Sequence, residues 1–198
     1  MSRLIAFGCS HTYGVGLSDC WDGDGVGDLP PSKFAWPQLL ADMLNLECVN
    51  ASNYGASNRE IWWNIINFPL DKADKIVVQW TYPNRDCIIN SNGDIEQLTV
   101  WSNNDVVKKF VTLTHDDYDK SIESHTYIQH ANMLVPGMYN FTTDIRRISP
   151  FPHWQTVNIV YDMNPLYVNC NKSIDGGHGD IEFHRKLAQE YYSILCQE

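Results

Sequence analysis

The sequence is poor in basic residues: 14 lysines and arginines stand against 24 aspartates and glutamates, which gives a formal net charge of −10. No block of lysine and arginine interrupts this acidic excess. Because proteins bind the phosphate backbone of nucleic acids through clustered basic residues, the composition argues against a nucleic-acid partner. It is more typical of an enzyme that acts on neutral or acylated substrates.

Long apolar runs are also missing. No stretch approaches the roughly 20 apolar residues of a membrane span. The apolar run at residues 4–7 is too short for the hydrophobic region of a secretory signal, and a glycine follows it. We therefore expect a protein that makes no membrane contact and resides in the cytoplasm.

Motifs for metals and dinucleotides are absent as well. The six cysteines form no C-x-x-C pair, and no cluster of cysteine and histidine has zinc spacing. Gly8, Gly14 and Gly16 do not make the G-x-G-x-x-G motif of dinucleotide sites. We expect reduced thiols, although an even number of cysteines also allows disulfides, and we predict no metal and no other cofactor.

Apolar strand patterns and helix patterns alternate in the N-terminal part of the chain. We predict strands over residues 3–7, 47–52 and 74–80, a helix over 34–46 and a second helix from about Ser57. Strands that alternate with helices form a parallel sheet with helices on both faces. The sequence therefore predicts a three-layer α/β/α domain.

The later part of the chain is less regular. The expected elements are an exposed loop at 17–32, a hairpin arm at 93–101, mainly helix over 104–147 with a break at Pro136-Gly137, a strand within 156–163, and a final helix over 180–196 capped by Asp180. We interpret residues 1–198 as one domain and residues 86–150 as an insertion or lid within it.

Ser10 lies just after the first predicted strand, in the stretch LIAFGCSHTYGVG at residues 4–16. In an open parallel sheet, ligands gather at the carboxyl ends of the strands, so Ser10 is placed where a ligand would bind. The serine has two interpretations, a cap for the following helix or a nucleophile. A nucleophilic serine needs a base and a group that orients the base.

Candidates for both partners lie near the other end of the chain. Asp175 precedes His178 by three residues in a glycine-rich loop, so its carboxylate can bind one ring nitrogen while the other points outward. Gly55 follows the second strand, and its small size lets a backbone N–H approach an oxyanion closely. Taken alone, the Asp–His pair could merely bind backbone groups, and Gly55 could be an ordinary turn glycine.

Taken together, three blocks resemble the SGNH (GDSL-type) hydrolases: FGCSHTYG at 7–14, NYGASN at 53–58 and DGGHGDIEFHRKLA at 175–188. The resemblance implies a flavodoxin-like fold with a parallel central sheet, here with an irregular or helical insertion, and esterase, lipase or carbohydrate-deacetylase activity. It implies Ser10 as nucleophile, His178 as base and Asp175 as its partner. The amides of Ser10 and Gly55 would form the oxyanion hole.

One block departs from the family pattern. The family usually carries G-x-N-D after the third strand, and its asparagine completes the oxyanion hole, whereas this chain reads QWTYPNRDC at 79–87. Either Asn84 or Asn58 reaches the hole, or the hole consists of the Ser10 and Gly55 amides alone. The loss of one donor typically costs about 10²–10³ in rate.

The sequence thus favours a serine esterase or deacylase that acts on a small-molecule or glycan ester, such as an O-acylated carbohydrate. The alternative is a catalytically degenerate hydrolase fold kept for carbohydrate binding or assembly. A third interpretation is an acyltransferase that uses the same triad, in which an acceptor outcompetes water. An enzyme requires His178 within hydrogen-bond reach of Ser10, with Asp175 behind it.

Overall fold

A sheet of five parallel strands forms the centre of the computed structural model, which describes residues 2–98, 104–114, 116–144 and 159–197. Its strands are β1 (Arg3–Phe7), β2 (Glu47–Asn50), β3 (Lys75–Trp80), β6 (Tyr139–Thr142) and β7 (Ile159–Asp162). They lie in the order β2-β1-β3-β6-β7, and each neighbouring pair is parallel. The strands β4 (Asp86–Ile89) and β5 (Ile95–Leu98) form a separate antiparallel hairpin.

The helices cover both faces of this sheet. They are α1 (Ser10–Tyr13), α2 (Trp36–Leu44), α3 (Asn58–Asn67), α4 (Asp105–Thr114), α5 (Asp117–Leu134), α6 (Asn164–Val168) and α7 (Ile181–Leu195). Successive residues of a strand point to opposite faces. Leu4 and Ala6 therefore pack with α2 and α7, whereas Ile5 and Phe7 pack with α3 and α5. The predicted three-layer α/β/α fold is confirmed.

Capping residues begin two of these helices where the sequence predicts them. The Ser57 hydroxyl accepts a hydrogen bond from the Glu60 N–H at 3.2 Å. The Asp180 carboxylate accepts one from the Phe183 N–H at 2.9 Å. Each bond satisfies a backbone donor that the first helical turn leaves free. The first cap orients the turn that precedes α3, and the second ends the loop that holds His178.

The predicted helical stretch over 104–147 is wrong at its C-terminal end. Helix α5 ends at Leu134, before Pro136-Gly137, and Tyr139–Thr142 then forms β6 beside β3. Two of these four residues are aromatic and one is β-branched, and such residues fit a half-buried strand once a sheet edge is available. Positions 99–101 of the predicted hairpin arm and positions 156–158 of the predicted late strand lie outside the described residues. The assignment of 86–150 as an insertion or lid stays a prediction.

The loop at 17–32 is also less exposed than expected. Cys20 and Val26 are buried and pack against Tyr13 and Val15. These apolar side chains are scattered among glycines and aspartates, so no periodic pattern marks them as buried. The loop is therefore anchored next to α1.

The strand order places a crevice beside β1. The chain leaves β1 for β2 on one side and returns to β3 on the other, so the strand order reverses between β1 and β3. Ligands bind at such switch points, outside the carboxyl ends of the strands. The two segments that leave these strands, residues 8–13 and 81–85, flank the crevice.

Two further expectations concern cysteines and membranes. All six cysteines are free, as the sequence predicts. Among the described helices, none is both long enough and apolar enough to cross a bilayer.

Candidate active site

Ser10 is the first residue of α1 and follows β1 by way of a tight turn. The N-cap of α1 is Cys9, and the buried Ser10 Oγ has no hydrogen-bond partner in the part of the chain that the structure describes. The interpretation of Ser10 as a helix cap is therefore wrong. A Cβ at Gly8 would lie 2.1 Å from the Thr12 Oγ1, so the turn before the serine requires glycine.

Asp175 and His178 are in contact within the loop at 171–180. The Asp175 carboxylate accepts hydrogen bonds from Ser173 Oγ at 2.7 Å, from the N–H groups of Gly177 at 3.0 Å and His178 at 3.1 Å, and from the His178 Nδ1. Burial opposes ionisation of this carboxyl, but the hydrogen bonds outweigh it and lower the pKa of Asp175 to about 2. Asp175 is thus ionised at neutral pH, and Nε2 remains as the nitrogen of His178 that can take up a proton.

This loop is fixed against the segment that follows α1. The Ile174 N–H donates to the Gly16 carbonyl at 3.3 Å. Gly16 has φ +84, and a Cβ there would lie 2.6 Å from the Asp175 Oδ1. A glycine at this position is therefore what allows the Asp175 loop to approach the turn that carries Ser10.

His11 separates the Asp–His pair from Tyr167. Its ring centroid lies 4.9 Å from that of His178 and 4.9 Å from that of Tyr167. Burial, with a further contribution from nearby positive groups, lowers the pKa of His11 well below its ordinary value. His11 is therefore neutral, and its ring packs against the ring of His178.

The contact between Ser10 and His178 is not formed. Within the described residues no hydrogen bond joins the Ser10 Oγ to the His178 ring, although His11, the next residue, touches that ring. Hydrogen bonds between a nucleophile and its base are often long or poorly aligned before substrate binds. The structure thus brings together Asp175 and His178, and it places the ring of His11, the residue after Ser10, against His178.

Gly55 occupies the turn between β2 and α3 with φ +77. This positive φ favours glycine, and a Cβ here would also lie 2.3 Å from the Gln97 Oε1 of the β4–β5 hairpin. Gln97 Nε2 donates to the Tyr54 carbonyl at 2.9 Å and to Glu60 Oε2 at 3.1 Å. The hairpin therefore holds the turn in which the Gly55 N–H lies.

The two asparagines considered for the oxyanion hole have different surroundings. Asn58 is buried: its Nδ2 donates to the Thr81 carbonyl and to Ser124 Oγ, both at 2.9 Å, and its Oδ1 accepts from the Thr81 N–H at 2.8 Å. Both the Nδ2 and the Oδ1 of the Asn58 side chain are therefore hydrogen-bonded. Asn58 links the start of α3 to the end of β3 and is not free to bind an oxyanion. Asn84 lies exposed on the turn after β3.

Arg85 is a residue that the sequence reasoning missed. It follows β3, and its Nη1 is buried without a hydrogen-bond partner among the described residues. Its guanidinium carbon lies 6.0 Å from the ring centroid of Tyr82. The available signal was a permanently charged side chain in the short segment between the buried strand β3 and the hairpin, at the edge where ligands bind.

Solved structures with a similar fold include three hydrolase-related proteins. A carbohydrate esterase with divergent catalytic and non-catalytic binding functions has a TM-score of 0.58 and 13% identity, covering 99% of this chain and 65% of its own. A carbohydrate esterase family 2 enzyme with a carbohydrate-binding domain from Corynascus thermopiles (Myceliophthora fergusii) has a TM-score of 0.58 and 9% identity. The match covers 98% of this chain and 65% of that enzyme. A protein assigned to the lipolytic G-D-S-L family from Desulfitobacterium hafniense DCB-2 has a TM-score of 0.55 and 12% identity, covering 97% and 98%.

These similarities concern the fold, because all three identities are low. No family model and no curated protein matches the sequence. The chain spans about 65% of the length of the two carbohydrate esterases. The sheet order defines a three-layer α/β protein with a topological switch point between β1 and β3. In open α/β sheets, ligands bind at such points. More particularly, the chain has the fold of the SGNH hydrolases.

Proposed function

We propose that the protein is a serine esterase or deacylase that hydrolyses an ester of a small molecule or glycan. The observation that carries this proposal is the placement of the buried, unpartnered Ser10 Oγ one residue from His11, whose ring touches the His178 of an Asp–His pair. A nucleophile, a base and an orienting carboxylate are the three groups that acyl transfer through a serine requires.

In the proposed reaction, His178 Nε2 takes the proton of the Ser10 hydroxyl as its Oγ attacks the ester carbonyl. His178 then gives the proton to the leaving alcohol, which yields an acyl-serine. Water attacks the acyl-serine with His178 again as base, and His178 then gives this proton to the Ser10 Oγ as the acid leaves. Asp175 holds the proton on Nδ1 and stabilises the imidazolium that forms in each step.

Backbone amides are the proposed donors to the oxyanion. The Ser10 N–H lies in the first turn of α1, where no carbonyl of the helix can accept it. The Gly55 N–H belongs to the turn that Gln97 fixes. A role for Asn84 stays a prediction, since it requires this exposed side chain to turn toward the crevice.

An O-acylated carbohydrate is the proposed class of substrate. Two of the structures with this fold are carbohydrate esterases. In addition, Tyr54 lies beside Gly55, is 43% exposed and packs edge-on against Tyr13 with ring centroids 5.6 Å apart. An aromatic ring with one apolar face and a polar tip suits contact with a sugar at the mouth of the crevice.

The proposal is tested by the hydrolysis of p-nitrophenyl acetate by wild type, His178→Gln and Asp175→Asn. Loss of a triad partner typically lowers kcat by about 10⁴-fold, so both variants should lose nearly all of the wild-type turnover. His130→Gln is the control, because His130 is an exposed histidine that accepts a hydrogen bond from Trp62 Nε1 and lies outside the site. Equal rates for wild type, His178→Gln and Asp175→Asn would contradict the proposal.

The second candidate is a binding module on a degenerate hydrolase fold. The observation that favours it is the missing hydrogen bond between Ser10 and His178 in the described residues. A folded wild type that binds O-acetylated oligosaccharides without releasing acetate would support this candidate over the esterase.

A further inference from the structure

Arg85 is partly buried, and one nitrogen of its guanidinium has no acceptor among the described residues. Its Nη1 is inaccessible to solvent and has no hydrogen-bond partner in the described part of the chain. By contrast, Arg3 pairs with Asp74 at 2.6 Å and Lys120 pairs with Asp86 at 2.6 Å. A guanidinium does not lose its proton in proteins, so it cannot escape burial by becoming neutral. A buried donor nitrogen of a charged group without an acceptor costs free energy, so the position of Nη1 calls for an explanation.

The position of Arg85 points to the ligand crevice. Arg85 leaves the carboxyl end of β3 and Ser10 leaves that of β1, and the strand order reverses between these two strands. The charge of Arg85 also reaches the site electrostatically. Burial is the largest cause of the lowered pKa of His11, and Arg85 is one of the positive groups that lower it further. Arg85 and Ser10 therefore flank the same crevice.

Other polar atoms at this edge also lack partners. Ser10 Oγ, Thr81 Oγ1 and Thr143 Oγ1 are buried and unsatisfied among the described residues, and each lies just after a strand of the central sheet. Most buried polar groups in proteins are hydrogen-bonded, so several unsatisfied groups along one edge indicate a place built for a polar ligand. Arg85 is the cationic member of this group.

A carboxylate is the ligand group that fits Arg85 best. The planar guanidinium fork matches the two oxygens of a carboxylate or phosphate. Glu60 lies within electrostatic reach of Arg85. This acidic side chain disfavours a doubly charged phosphate more than a singly charged carboxylate. Resting on the esterase function proposed above, we infer that Arg85 binds a carboxylate of the substrate, so that the ester is carried by an acidic sugar.

A matched pair of substrates tests this inference. Mono-O-acetylated methyl galacturonoside and mono-O-acetylated methyl galactoside differ only in the carboxylate, and acetate release is measured for each. The variants are Arg85→Gln, which removes the charge, and Arg85→Lys, which keeps it. Lys75→Gln is the control, because Lys75 begins β3 at the opposite edge of the sheet and its loss changes the net charge equally.

We expect wild type to prefer the galacturonoside. A hydrogen bond to a charged group contributes about 1.5–3 kcal/mol, so Arg85→Gln should lower kcat/KM for the galacturonoside roughly 10- to 100-fold. The same variant should change kcat/KM for the galactoside less than about threefold, and Arg85→Lys should recover part of the loss. Lys75→Gln should behave as wild type. The melting temperature of Arg85→Gln should stay close to that of wild type, because Nη1 makes no hydrogen bond among the described residues that the variant could lose.

Several results would overturn the inference. If Arg85→Gln lowered kcat/KM equally for both substrates, Arg85 would act at the reacting ester. If it lowered kcat/KM for neither, Arg85 would lie outside the site. A lowered melting temperature with losses on both would make its role structural. Binding of free galacturonate and galactose, measured by calorimetry, separates the inference from the esterase proposal. Arg85-dependent binding of galacturonate without hydrolysis would contradict only the esterase, whereas Ser10-dependent hydrolysis without a carboxylate preference would contradict only the inference.

Discussion

The carboxylate of Asp175 accepts hydrogen bonds from its own loop and from the His178 ring, and these bonds favour its ionised form. Ser173 Oγ and two backbone N–H groups surround Oδ1, while Oδ2 faces the ring Nδ1. Because an ionised carboxylate can only accept, His178 carries its proton on Nδ1. A histidine held in this tautomer presents Nε2 as a base, which is the role that the proposed function assigns to it.

At the residue scale, the pH dependence of stability tests this arrangement. The pKa of Asp175 is lowered to about 2 in the folded protein, whereas an unfolded aspartate has a pKa of about 3.9. A lowered pKa stabilises the fold above the unfolded value, and the stabilisation is lost as the pH falls through the folded value. It is on the order of 2 kcal/mol. The difference in free energy of unfolding between wild type and Asp175→Asn should therefore be constant above about pH 5 and shrink toward about pH 2.

Urea unfolding at a series of pH values measures this difference. A difference that stays constant down to about pH 2 would show that the carboxylate is not held in its ionised form by the loop.

At the scale of elements, two contacts bring the separate parts of the site together. The loop at 171–180 contacts the segment after α1 through Gly16, and α3 is tied to the end of β3 through Asn58. Both contacts join segments that are far apart in sequence. A single substitution can disrupt each contact, so the effect of each contact on activity or stability can be measured separately.

Gly16→Ala is predicted to impair activity by displacing Asp175. The new Cβ would lie 2.4 Å from Ser173 Oγ and 2.6 Å from Asp175 Oδ1, so the loop must shift. A misplacement of about 1 Å can cost about 10² in rate, and we expect a loss of this order in kcat for p-nitrophenyl acetate. Gly93→Ala is the control, since Gly93 has φ +87 and only Trp63 Cζ2, at 3.9 Å, near the added Cβ. Equal effects of the two variants on kcat would mean that backbone strain, rather than the Asp175 contact, is responsible.

Asn58→Ala is predicted to destabilise the fold by about 2–4 kcal/mol, because it leaves the buried backbone groups of Thr81 without partners. The matched control is Asn67→Ala on the same helix, whose exposed side chain donates only to the Trp63 carbonyl at 2.8 Å. That variant should stay within about 0.5 kcal/mol of wild type in urea unfolding. Similar stabilities for the two variants would contradict the role assigned to Asn58.

At the scale of the whole molecule, the alternation of strands and helices was enough to predict the architecture. Arg3–Phe7 and Lys75–Trp80 are short, apolar runs, and the helices between them carry apolar residues at helical spacing. The strand at Tyr139–Thr142 was not predicted, because apolar and polar residues alternate only weakly within it and it follows a long helix. Its place as a strand depends on pairing with β3, which local sequence does not encode.

The candidate site was predictable only in part. The spacing of Asp175 and His178 was sufficient to propose their pairing, because three residues separate them in one loop. The engagement of Asn58 with Thr81 could not be seen, since it depends on how α3 packs against β3. The burial of Arg85 Nη1 is a property of the same packing. Contacts between distant segments decide which polar side chains are free to bind a ligand.

Ser10 is the proposed nucleophile, and its reaction with a fluorophosphonate probe is the sharpest test of this role. Wild type, Ser10→Ala and Ser18→Ala are treated with the probe, and p-nitrophenyl acetate hydrolysis is followed in parallel. Ser18 is an exposed serine in the loop after α1, so its variant controls for the loss of a hydroxyl. We predict labelling and turnover in wild type and Ser18→Ala, and neither in folded Ser10→Ala. Labelling that persists in Ser10→Ala, or a folded wild type that neither reacts nor turns over, would contradict the claim.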